Sequence, residues 1–301
     1  FVIRGTSKFF STPGIRLGYG LISNNKIKVK LLDKNQGISG ATNEAASLAS
    51  GDYILLMDND DELAHSALHE FYQKIKKDGS EILYSDMDII DAKGRTRDPL
   101  CKPDWSPDLF LSQMYLGHLV GFKKSLFDEV GGFRSEFNGS QDYDLLLRMT
   151  EKTDKIGHVA EILYHWRDLP SSTAANPESK PYAQIAGLNA IQEHLNRVYG
   201  LGKAIAHETD NLFVYDVRYP MEEEPMVSII IPIKDHVELL KAAIDSIFEK
   251  TTYKHYEIIV LNNNSEKEET FAYLRELVEC HENVRVEDAL FEFNWSKLNN
   301  Y

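Results

Sequence analysis

A cluster of carboxylates follows an apolar run early in the chain. Residues 53–63 read YILLMDNDDEL, and the cluster consists of Asp58, Asp60, Asp61 and Glu62. The apolar run is typical of a strand buried on both faces, and ligands of open α/β sheets collect beyond the carboxyl ends of such strands. Carboxylates placed there can hold a divalent cation. They can equally form a solvated turn that caps the next helix, because carboxylates favour helix N-termini.

Two more motifs place titratable side chains where they could do chemistry. In GSQDYDLLLR, residues 139–148, Asp142 and Asp144 fall in the first turn of a predicted amphipathic helix. One of these acids can serve as a general base, or it can pair with Arg148 one turn further along the helix. In LYHWR, His165 follows a predicted strand. A lone histidine beside aromatic residues is more often a packed core residue than a ligand.

Composition and charge exclude several classes of function. The chain has 301 residues, 43% of them hydrophobic, and a formal net charge of −14. We therefore expect about two domains with apolar cores and no nucleic acid partner. Cys101 and Cys280 lie far apart and in no metal-ligand spacing, which favours a reducing compartment such as the cytoplasm. No apolar stretch has the length of a membrane span. Because residue 1 is Phe rather than Met, we expect the chain to be part of a longer protein.

Short β-branched runs alternate with amphipathic stretches, which is the pattern of an α/β fold with a mixed, mainly parallel sheet. The first part of the chain contains predicted strands at 26–32, 52–57 and 81–86 and predicted helices at 39–50 and 63–77. Beyond Pro99 the sequence is richer in proline and aromatic residues and less periodic. We expect that region to cover a site rather than to extend the sheet.

The alternation of strands and helices restarts after a junction that ends in RYPMEEEPM. A predicted strand, helix and strand follow at 227–232, 236–250 and 256–265. Such a restart marks a domain boundary. We expect an unassigned segment at 1–25, a partial first domain at 26–202, a linker at 203–225 and the opening half of a second domain at 226–301.

The two domains share an internal repeat. VKLLDKNQGISGATNEA in the first aligns without a gap on VEDALFEFNWSKLNNY in the second, which pairs Ser39 with Ser296 and Asn43 with Asn300. Fewer residues precede this repeat in the first domain than in the second. We therefore expect residues 1–25 to provide no opening strand–helix–strand, and neither domain to hold a complete active site within this chain.

Six short motifs occur one after another along the first domain. They are NQGISGATNEA, LLMDNDDEL, YSDMDIID, KPDWSPDLF, GSQDYDLLLR and LYHWR. Their order and spacing resemble the later part of a family 2 glycosyltransferase domain, and residues 226–301 resemble the opening of a second one. The resemblance implies a GT-A fold, a Rossmann-like nucleotide-diphospho-sugar transferase architecture, in a tandem-domain enzyme of bacterial type.

The resemblance also implies a divalent-metal site that holds a nucleotide diphosphate. Asp58 and Asp60 take the D-x-D role, His165 is a further metal contact, and the ion is Mg²⁺ or Mn²⁺. The implied donor-binding residues are Asp58, Asp61, Asp86 and Arg167. A cation held there stabilises the charge that develops on the leaving pyrophosphate.

By the same resemblance, Asp142 is the general base that deprotonates the acceptor hydroxyl, which then attacks from the face opposite the nucleotide. Gln141 stands where many family members have Glu and is assigned to the acceptor. Trp105 is a candidate platform for an acceptor sugar ring, and a buried aromatic residue is an equally open interpretation of it. His118, in YLGHLVGF, is assigned to the core. The implied nucleotide-binding residues of the second domain are Pro232, Asp235, Asn262 and Asn264, with Asn262 replacing a common acidic residue.

The sequence is thus interpreted as an inverting, metal-dependent glycosyltransferase that moves a sugar from a nucleotide-diphosphate sugar to a growing glycan or lipid-linked glycan, in bacterial surface polysaccharide synthesis. A location in the cytoplasm or at the inner face of the cell membrane, peripheral membrane association and a homo-oligomer all suit this interpretation. Two alternatives stay open. A sugar nucleotidyltransferase would need a Gly-rich, basic phosphate-binding opening, and a non-catalytic glycan-binding or scaffold module would carry vestigial acids.

Overall fold

Two units, Phe1–Pro220 and Met221–Tyr301, make up the chain, and each has its own main sheet. The computed structural model describes residues 2–5, 17–22, 26–91, 93–168, 181–221 and 223–300, with side chains from Lys30 onward except at position 299.

The first unit alternates short strands with helices. Its strands are β1 (Val2–Gly5), β2 (Leu17–Ile22), β3 (Lys26–Leu31), β4 (Tyr53–Asp58), β5 (Glu62–Leu63), β6 (Ile82–Ile90), β7 (Thr96–Leu100), β8 (Val120–Lys123), β9 (Ile156–Arg167), β10 (Ile205–Glu208) and β11 (Tyr215–Arg218). Its helices are α1 (Gly37–Ser47), α2 (Ala67–Asp78), α3 (Pro107–Ser112), α4 (Lys124–Glu129), α5 (Gln141–Thr150) and α6 (Pro181–Tyr199), with a 3₁₀ turn at Ser135–Phe137.

Nine of these strands form one mixed sheet in the order β3-β2-β1-β4-β8-β6-β9-β5, with β7 paired to β6. β1 is parallel to β4, and β6 is parallel to β9, whereas β8 is antiparallel to both of its neighbours. It follows from these pairings that β1, β3, β4, β6 and β9 all run in one direction. The prediction of an α/β fold with a mixed, mainly parallel sheet is confirmed.

Two strands of this sheet lie in the segment that the sequence analysis left unassigned. β2 is antiparallel to both β1 and β3, and β1 is parallel to β4 with Gly5 opposite Asp58. Residues 1–25, which the sequence analysis left unassigned, therefore contribute β1 and β2 to the large sheet, although these strands are not a parallel strand–helix–strand opening. Antiparallel neighbours need no helical crossover, whereas the parallel strand–helix–strand that the sequence analysis found no room for needs a crossover of about a dozen residues or more.

A short strand replaces the start of the helix predicted at 63–77. β5 pairs with β9, with Glu62 opposite His165, so this stretch of backbone belongs to the sheet. α2 follows and is capped by Gly79 in the left-handed conformation (φ 70°), which glycine adopts without strain. The acidic cluster therefore lies in a tight turn between two strands, β4 and β5.

Apolar side chains pack on both faces of the large sheet. The consecutive residues Ile82, Leu83 and Tyr84 of β6 enter two different clusters alternately, as the period of a strand requires. One cluster includes Phe71 of α2. The larger one includes Leu145 of α5. The sheet is thus covered by helices on both faces, which is the layer arrangement of an α/β fold.

The segment expected to be a linker at 203–225 contains β10 and β11, which pair antiparallel. Tyr215 of β11 is buried, and its hydroxyl donates to the Gln184 carbonyl of α6 at 3.0 Å. The first unit therefore continues to Pro220. These strands have only four residues each, too few to show a periodic pattern in the sequence.

The second unit is a three-stranded parallel sheet in the order β12-β13-β14. Its elements are β12 (Val227–Ile233), α7 (Val237–Lys250), β13 (Tyr256–Asn262), α8 (Glu268–Cys280), β14 (Val284–Asp288) and α9 (Trp295–Asn299). Leu240 and Ile244 of α7 pack with Leu274 of α8 against Ile258 and Val260 of β13. In neither unit does a described helix have both the length and the apolar character needed to cross a membrane.

Candidate active site

The acidic turn between β4 and β5 brings three carboxylates together. Asp58, Asp60 and Asp61 each offer one oxygen, and these atoms lie within 4.8 Å of one another. Asp58 is exposed, Asp60 is half-buried and Asp61 is buried. Grouped carboxylate oxygens are the ligand set that Mg²⁺ and Mn²⁺ prefer, so the turn fits a divalent cation.

Asp61 anchors this turn to β9. The Tyr164 hydroxyl donates to one of its carboxylate oxygens, and the Arg167 amide donates to the other at 2.8 Å. Burial raises the pKa of Asp61, and the hydrogen bonds from Arg167 and Tyr164 act in the opposite direction. Since both Asp61 oxygens already have donors, Asp58 and Asp60 present the freer oxygens to a ligand.

Arg167 also holds the acidic turn with its side chain. Its Nε donates to the Asp60 carbonyl at 2.6 Å, and its guanidinium pairs with the Glu62 carboxylate. These contacts keep a positive charge beside the cluster of acids. A contact from Arg167 to phosphate stays a prediction.

His165 of β9 pairs with Asp88 of β6, its Nδ1 lying 2.6 Å from the Asp88 carboxylate. Asp88 is only 6% exposed, so the pair fixes the imidazole ring and leaves Nε2 for another partner. A carboxylate behind a histidine is typical of metal ligands. The group of mutually close ligand atoms contains the three aspartates and not His165, so a metal contact from His165 stays a prediction.

Asp142 opens α5 and lines the same cleft as Asp58, together with Gln141 and His118. The Tyr143 amide donates to the Asp142 carboxylate at 2.9 Å. Burial raises the pKa of Asp142, while the Tyr143 hydrogen bond and the charge of His118 lower it and the charge of Asp58 raises it. The fold thus brings together the two acids that the sequence assigned to the metal and to the base.

Asp144 has a structural role. It is completely buried, and Arg148 donates to its carboxylate at 2.7 Å. Arg134 also pairs with it. The i,i+4 pairing with Arg148 that the sequence left open for one of the two acids therefore belongs to Asp144. This pairing leaves Asp142 as the acid of α5 that faces the cleft.

The first motif, NQGISGATNEA, supports the loop that leads into α5. Ser39 of α1 is completely buried, and its hydroxyl donates to the Asn138 side chain at 2.7 Å. Gln141, at the start of α5, accepts a hydrogen bond from the Gly139 amide at 2.8 Å. These contacts fix the backbone just before Asp142.

Asp86 lies on β6 with little exposure. Its Oδ1 accepts from the Lys102 amide at 2.9 Å and lies 2.8 Å from His158 Nε2. Asp86 and Asp88 are two residues apart on one strand, so they share a face. Binding of the donor sugar by Asp86 stays a prediction.

Trp105 does not share the cleft of Asp142. Its ring packs against Phe110, with 5.2 Å between ring centroids, and it lines a separate depression of the first unit with His194 and Arg197. Gln141 does line the cleft of Asp142. The acceptor roles of both residues stay predictions, and the structure favours Gln141.

Sequence reasoning missed three residues of this region. His118, expected to be core, has 31% of its side chain exposed and places Nε2 3.8 Å from Asp58 Oδ2. Asp88 supports His165, which the two-residue spacing in YSDMD could have revealed. Lys102 is buried beside Asp86, and no periodic pattern marks it because it lies between elements.

The four residues assigned to nucleotide binding in the second unit lie at the carboxyl ends of β12 and β13, with Pro232 inside β12. Asp235 accepts from the Glu266 and Lys267 amides at 3.0 Å, and these bonds, Lys267 foremost, hold the pKa of Asp235 below its usual value.

The buried Asn262 side chain donates from Nδ2 to the Asp288 carboxylate at 2.8 Å. The Asn264 side chain donates from Nδ2 to the Phe291 carbonyl at 2.8 Å. Asp235, Asn262 and Asn264 thus brace the loops at this edge of the sheet. Their nucleotide binding stays a prediction.

Comparison with known proteins identifies the family to which the chain belongs. The family model "Glycosyl transferase family 2" matches residues 12–131 and 228–300. The chain therefore belongs to glycosyltransferase family 2. It is 40% identical over 279 residues to an uncharacterised protein, y4gI, of Sinorhizobium fredii, covering 91% of this chain and 30% of the relative. It is 35% identical over 280 residues to the O-antigen biosynthesis protein RfbC of Myxococcus xanthus, covering 92% of this chain and 21% of the relative.

The chain thus spans less than a third of the length of these two curated relatives. Among solved structures, it is similar to S. aureus TarS 1-349 in complex with UDP-GlcNAc. That match has a TM-score of 0.40 and 16% identity, and it covers 56% of this chain and 55% of the other.

Proposed function

We propose that the first unit transfers a sugar, with inversion, from a nucleotide-diphosphate sugar to a growing glycan or lipid-linked glycan. One observation carries the proposal: Asp58, of the carboxylate cluster, and Asp142, at the start of α5, line a single cleft. Transfer needs an anion-stabilising group on the donor side and a proton acceptor on the acceptor side. Asp58 would supply the first through a bound divalent cation, and Asp142, on a separate element, would supply the second.

The donor side is the acidic turn. A divalent cation, when bound by Asp58 and Asp60, would stabilise the negative charge on the leaving nucleotide diphosphate. The hydrogen bonds of Asp61 with the Tyr164 hydroxyl and the Arg167 amide anchor the turn that carries these two carboxylates. The carboxyl ends of β1 and β4 meet here, since Gly5 lies opposite Asp58, and such an edge is where α/β sheets bind nucleotides. We therefore assign the nucleotide to this edge of the first unit.

The acceptor side is Asp142. Its carboxylate takes the proton of the acceptor hydroxyl as that oxygen bonds to the anomeric carbon and the bond to the nucleotide diphosphate breaks. A base works best when its pKa approaches the working pH, and burial moves the pKa of Asp142 in that direction. Attack from the side opposite the leaving group inverts the anomeric centre.

We also propose that the second unit is the opening half of another domain of the same family. The same family model matches residues 228–300, and the strand order β12-β13-β14 gives a parallel opening sheet. Pro232, Asp235, Asn262 and Asn264 would then lie at its nucleotide edge. Two such domains suit a glycan built from more than one sugar or linkage.

The biological role we propose is synthesis of a bacterial surface polysaccharide, at the inner face of the cell membrane. The relationship to RfbC, named as an O-antigen biosynthesis protein, supports this role. Neither the nucleotidyltransferase nor the scaffold alternative is favoured by a feature of the site.

The test is release of nucleoside diphosphate from a panel of nucleotide sugars by the 301-residue chain, with Mn²⁺ and with glycan acceptors. Asp60→Asn and Asp142→Asn should each lower turnover by at least about 100-fold, since each removes several kcal/mol of transition-state stabilisation. Asp128→Asn, an exposed carboxylate of α4, is the matched control. Either site variant retaining more than about a tenth of wild-type turnover, a loss of under about 1.4 kcal/mol, would contradict the assignment.

A further inference from the structure

A buried lysine ties one wall of the cleft to strand β6. Lys102 is 7% exposed, and its Nζ donates to the carbonyls of Ser85 at 2.6 Å, Leu116 at 2.5 Å and His118 at 2.5 Å. An ammonium has three N–H donors, so all of them are used. Ser85 belongs to β6, whereas Leu116 and His118 belong to the segment that precedes β8.

That segment places an imidazole in the cleft. The His118 ring stacks on Tyr164, with 4.8 Å between centroids and 17° between planes. Its Nε2 lies 3.8 Å from the Asp58 carboxylate, and the residue lines the cleft with Asp142. Gly117 precedes it with φ +48°, a conformation that glycine adopts without strain. The position of His118 therefore depends on what holds the backbone on either side of Gly117.

Burying the Lys102 ammonium carries a free-energy cost that an apolar side chain at this position would not have. Burial lowers the pKa of Lys102 to about 8, and Asp86 acts in the opposite direction. The described partners of the ammonium are carbonyl oxygens rather than a carboxylate. A buried charge without a close ion pair destabilises a fold more than an apolar residue of similar size does, so a purely space-filling role would be better served by methionine or leucine.

We propose that Lys102 is a positioning residue, whose ammonium ties the Leu116 and His118 carbonyls to β6 and so sets the His118 imidazole beside Asp58 in the cleft that Asp142 also lines. The proposal rests on the proposed glycosyl transfer in the first unit. It assigns to Lys102 no contact with either substrate.

A consequence is a dependence on the charge of Lys102. A neutral amine has two N–H donors, so one of the three carbonyls loses its partner when the ammonium is deprotonated. Among the described residues, the charged group that acts on Lys102 is Asp86 of β6, whose carboxylate also lies 2.8 Å from His158 Nε2 of β9. Turnover should fall as pH rises through about 8, and this alkaline decline should be absent from Lys102→Met.

The experiment compares Lys102→Met with Lys123→Met in the 301-residue chain. Lys123 is a matched control, because it is 42% exposed and pairs with Glu81 outside the cleft. The first readout is the imidazole resonance of His118 in histidine-labelled protein, assigned with His118→Gln. The chemical shift of His118 should change in Lys102→Met and stay unchanged in Lys123→Met. The chemical shift of His194 should stay unchanged in both variants.

The second readout is turnover of the nucleotide sugar that the wild type uses. Lys102→Met should lower kcat by about 10- to 100-fold, as expected when a site group is misplaced by about 1 Å, and leave KM for the donor within about threefold. An unmoved His118 resonance, or a kcat equal to that of Lys123→Met, would overturn the proposal.

Two results would change which readout decides: a Lys102→Met variant that does not fold, and a wild type without turnover. If Lys102→Met does not fold, Lys102→Gln, which keeps two donors, is judged by the same readouts. If the wild type turns over no nucleotide sugar, the proposed function fails, and the His118 resonance alone decides whether Lys102 positions the imidazole.

Discussion

Asn43 of α1 makes two hydrogen bonds to the backbone of Phe133. Its Oδ1 accepts from the Phe133 amide at 2.8 Å, and its Nδ2 donates to the Phe133 carbonyl at 2.7 Å. Phe133 lies in the loop that leads into α5, so α1 holds the backbone on which Asp142 depends. This relationship gives a physical reason for the Asn in NQGISGATNEA. Asn300 is its counterpart in the internal repeat.

We therefore expect Asn43→Ala to destabilise the first unit. The substitution leaves a donor and an acceptor of Phe133 without partners, and each such group costs about 1–3 kcal/mol when buried. Urea unfolding would measure the change, with Asn196→Ala of α6 as a control outside this loop. A free energy of unfolding unchanged by Asn43→Ala would contradict the anchoring role.

Two neighbouring acids of α5 should respond oppositely to the same change. Asp144→Asn should lower the free energy of unfolding by about 3–5 kcal/mol, because it leaves the buried Arg148 without its carboxylate. Asp142→Asn should leave stability unchanged or raise it at pH 7. The pKa of Asp142 is raised in the fold, so its ionised form opposes folding at any pH well above that pKa, and a neutral amide removes this penalty.

Thermal unfolding of the two variants side by side measures the difference. A large loss of stability in Asp142→Asn would make that residue structural and would remove it from the proposed site.

The pH dependence of turnover should report Asp142. A general base must be ionised, so kcat should rise with pH through its pKa, which burial raises above the ordinary value of about 3.9. The charge of His118 lowers that pKa, so His118→Gln should move the acid limb to higher pH. This role would be contradicted by an acid limb of the kcat profile with an apparent pKa at or below the ordinary value for aspartate. It would also be contradicted if His118→Gln moved that limb to lower pH.

The proposed metal contact of His165 makes a prediction about Asp88. Loss of a carboxylate that orients a ligating histidine typically costs about 10- to 100-fold in metal affinity, so Asp88→Asn should weaken Mn²⁺ binding by that factor. His165→Ala should weaken it at least as much. Electron paramagnetic resonance of bound Mn²⁺ measures both, and unchanged affinity in the two variants would make the His165–Asp88 pair structural.

The sequence predicted the α/β fold and the acidic turn because both follow from local patterns. The apolar run of β4 and the carboxylates after it are visible in eleven consecutive letters, YILLMDNDDEL. β1 and β2 were missed because antiparallel neighbours, which β2 is to both β1 and β3, need not show the alternation of strand and helix that marked the rest. β5 was missed because two residues paired to β9 have no periodicity of their own.

The contacts that assemble the site were less predictable, since they join residues far apart in the chain. Arg167 holds the turn at Asp60. Lys102 donates to the His118 carbonyl and Tyr164 stacks on the His118 ring, whose Nε2 lies 3.8 Å from Asp58. The types and spacing of these residues do not predict the direction in which their side chains point from a loop. The roles of Asp58 and Asp142 were assigned from motifs, and the fold adds that they share one cleft.

The central claim is that Asp58 and Asp60 bind the nucleotide diphosphate through a divalent cation, whereas Asp142 acts on the acceptor. It is tested most directly by calorimetric titration of UDP, GDP and dTDP, with Mn²⁺, into wild type, Asp60→Asn and Asp142→Asn. We predict that at least one nucleotide binds the wild type, that Asp60→Asn weakens it by at least about tenfold, or about 1.4 kcal/mol, and that Asp142→Asn binds it as the wild type does. Equal loss of binding in both variants, or nucleotide binding that persists in Asp60→Asn, would contradict the account.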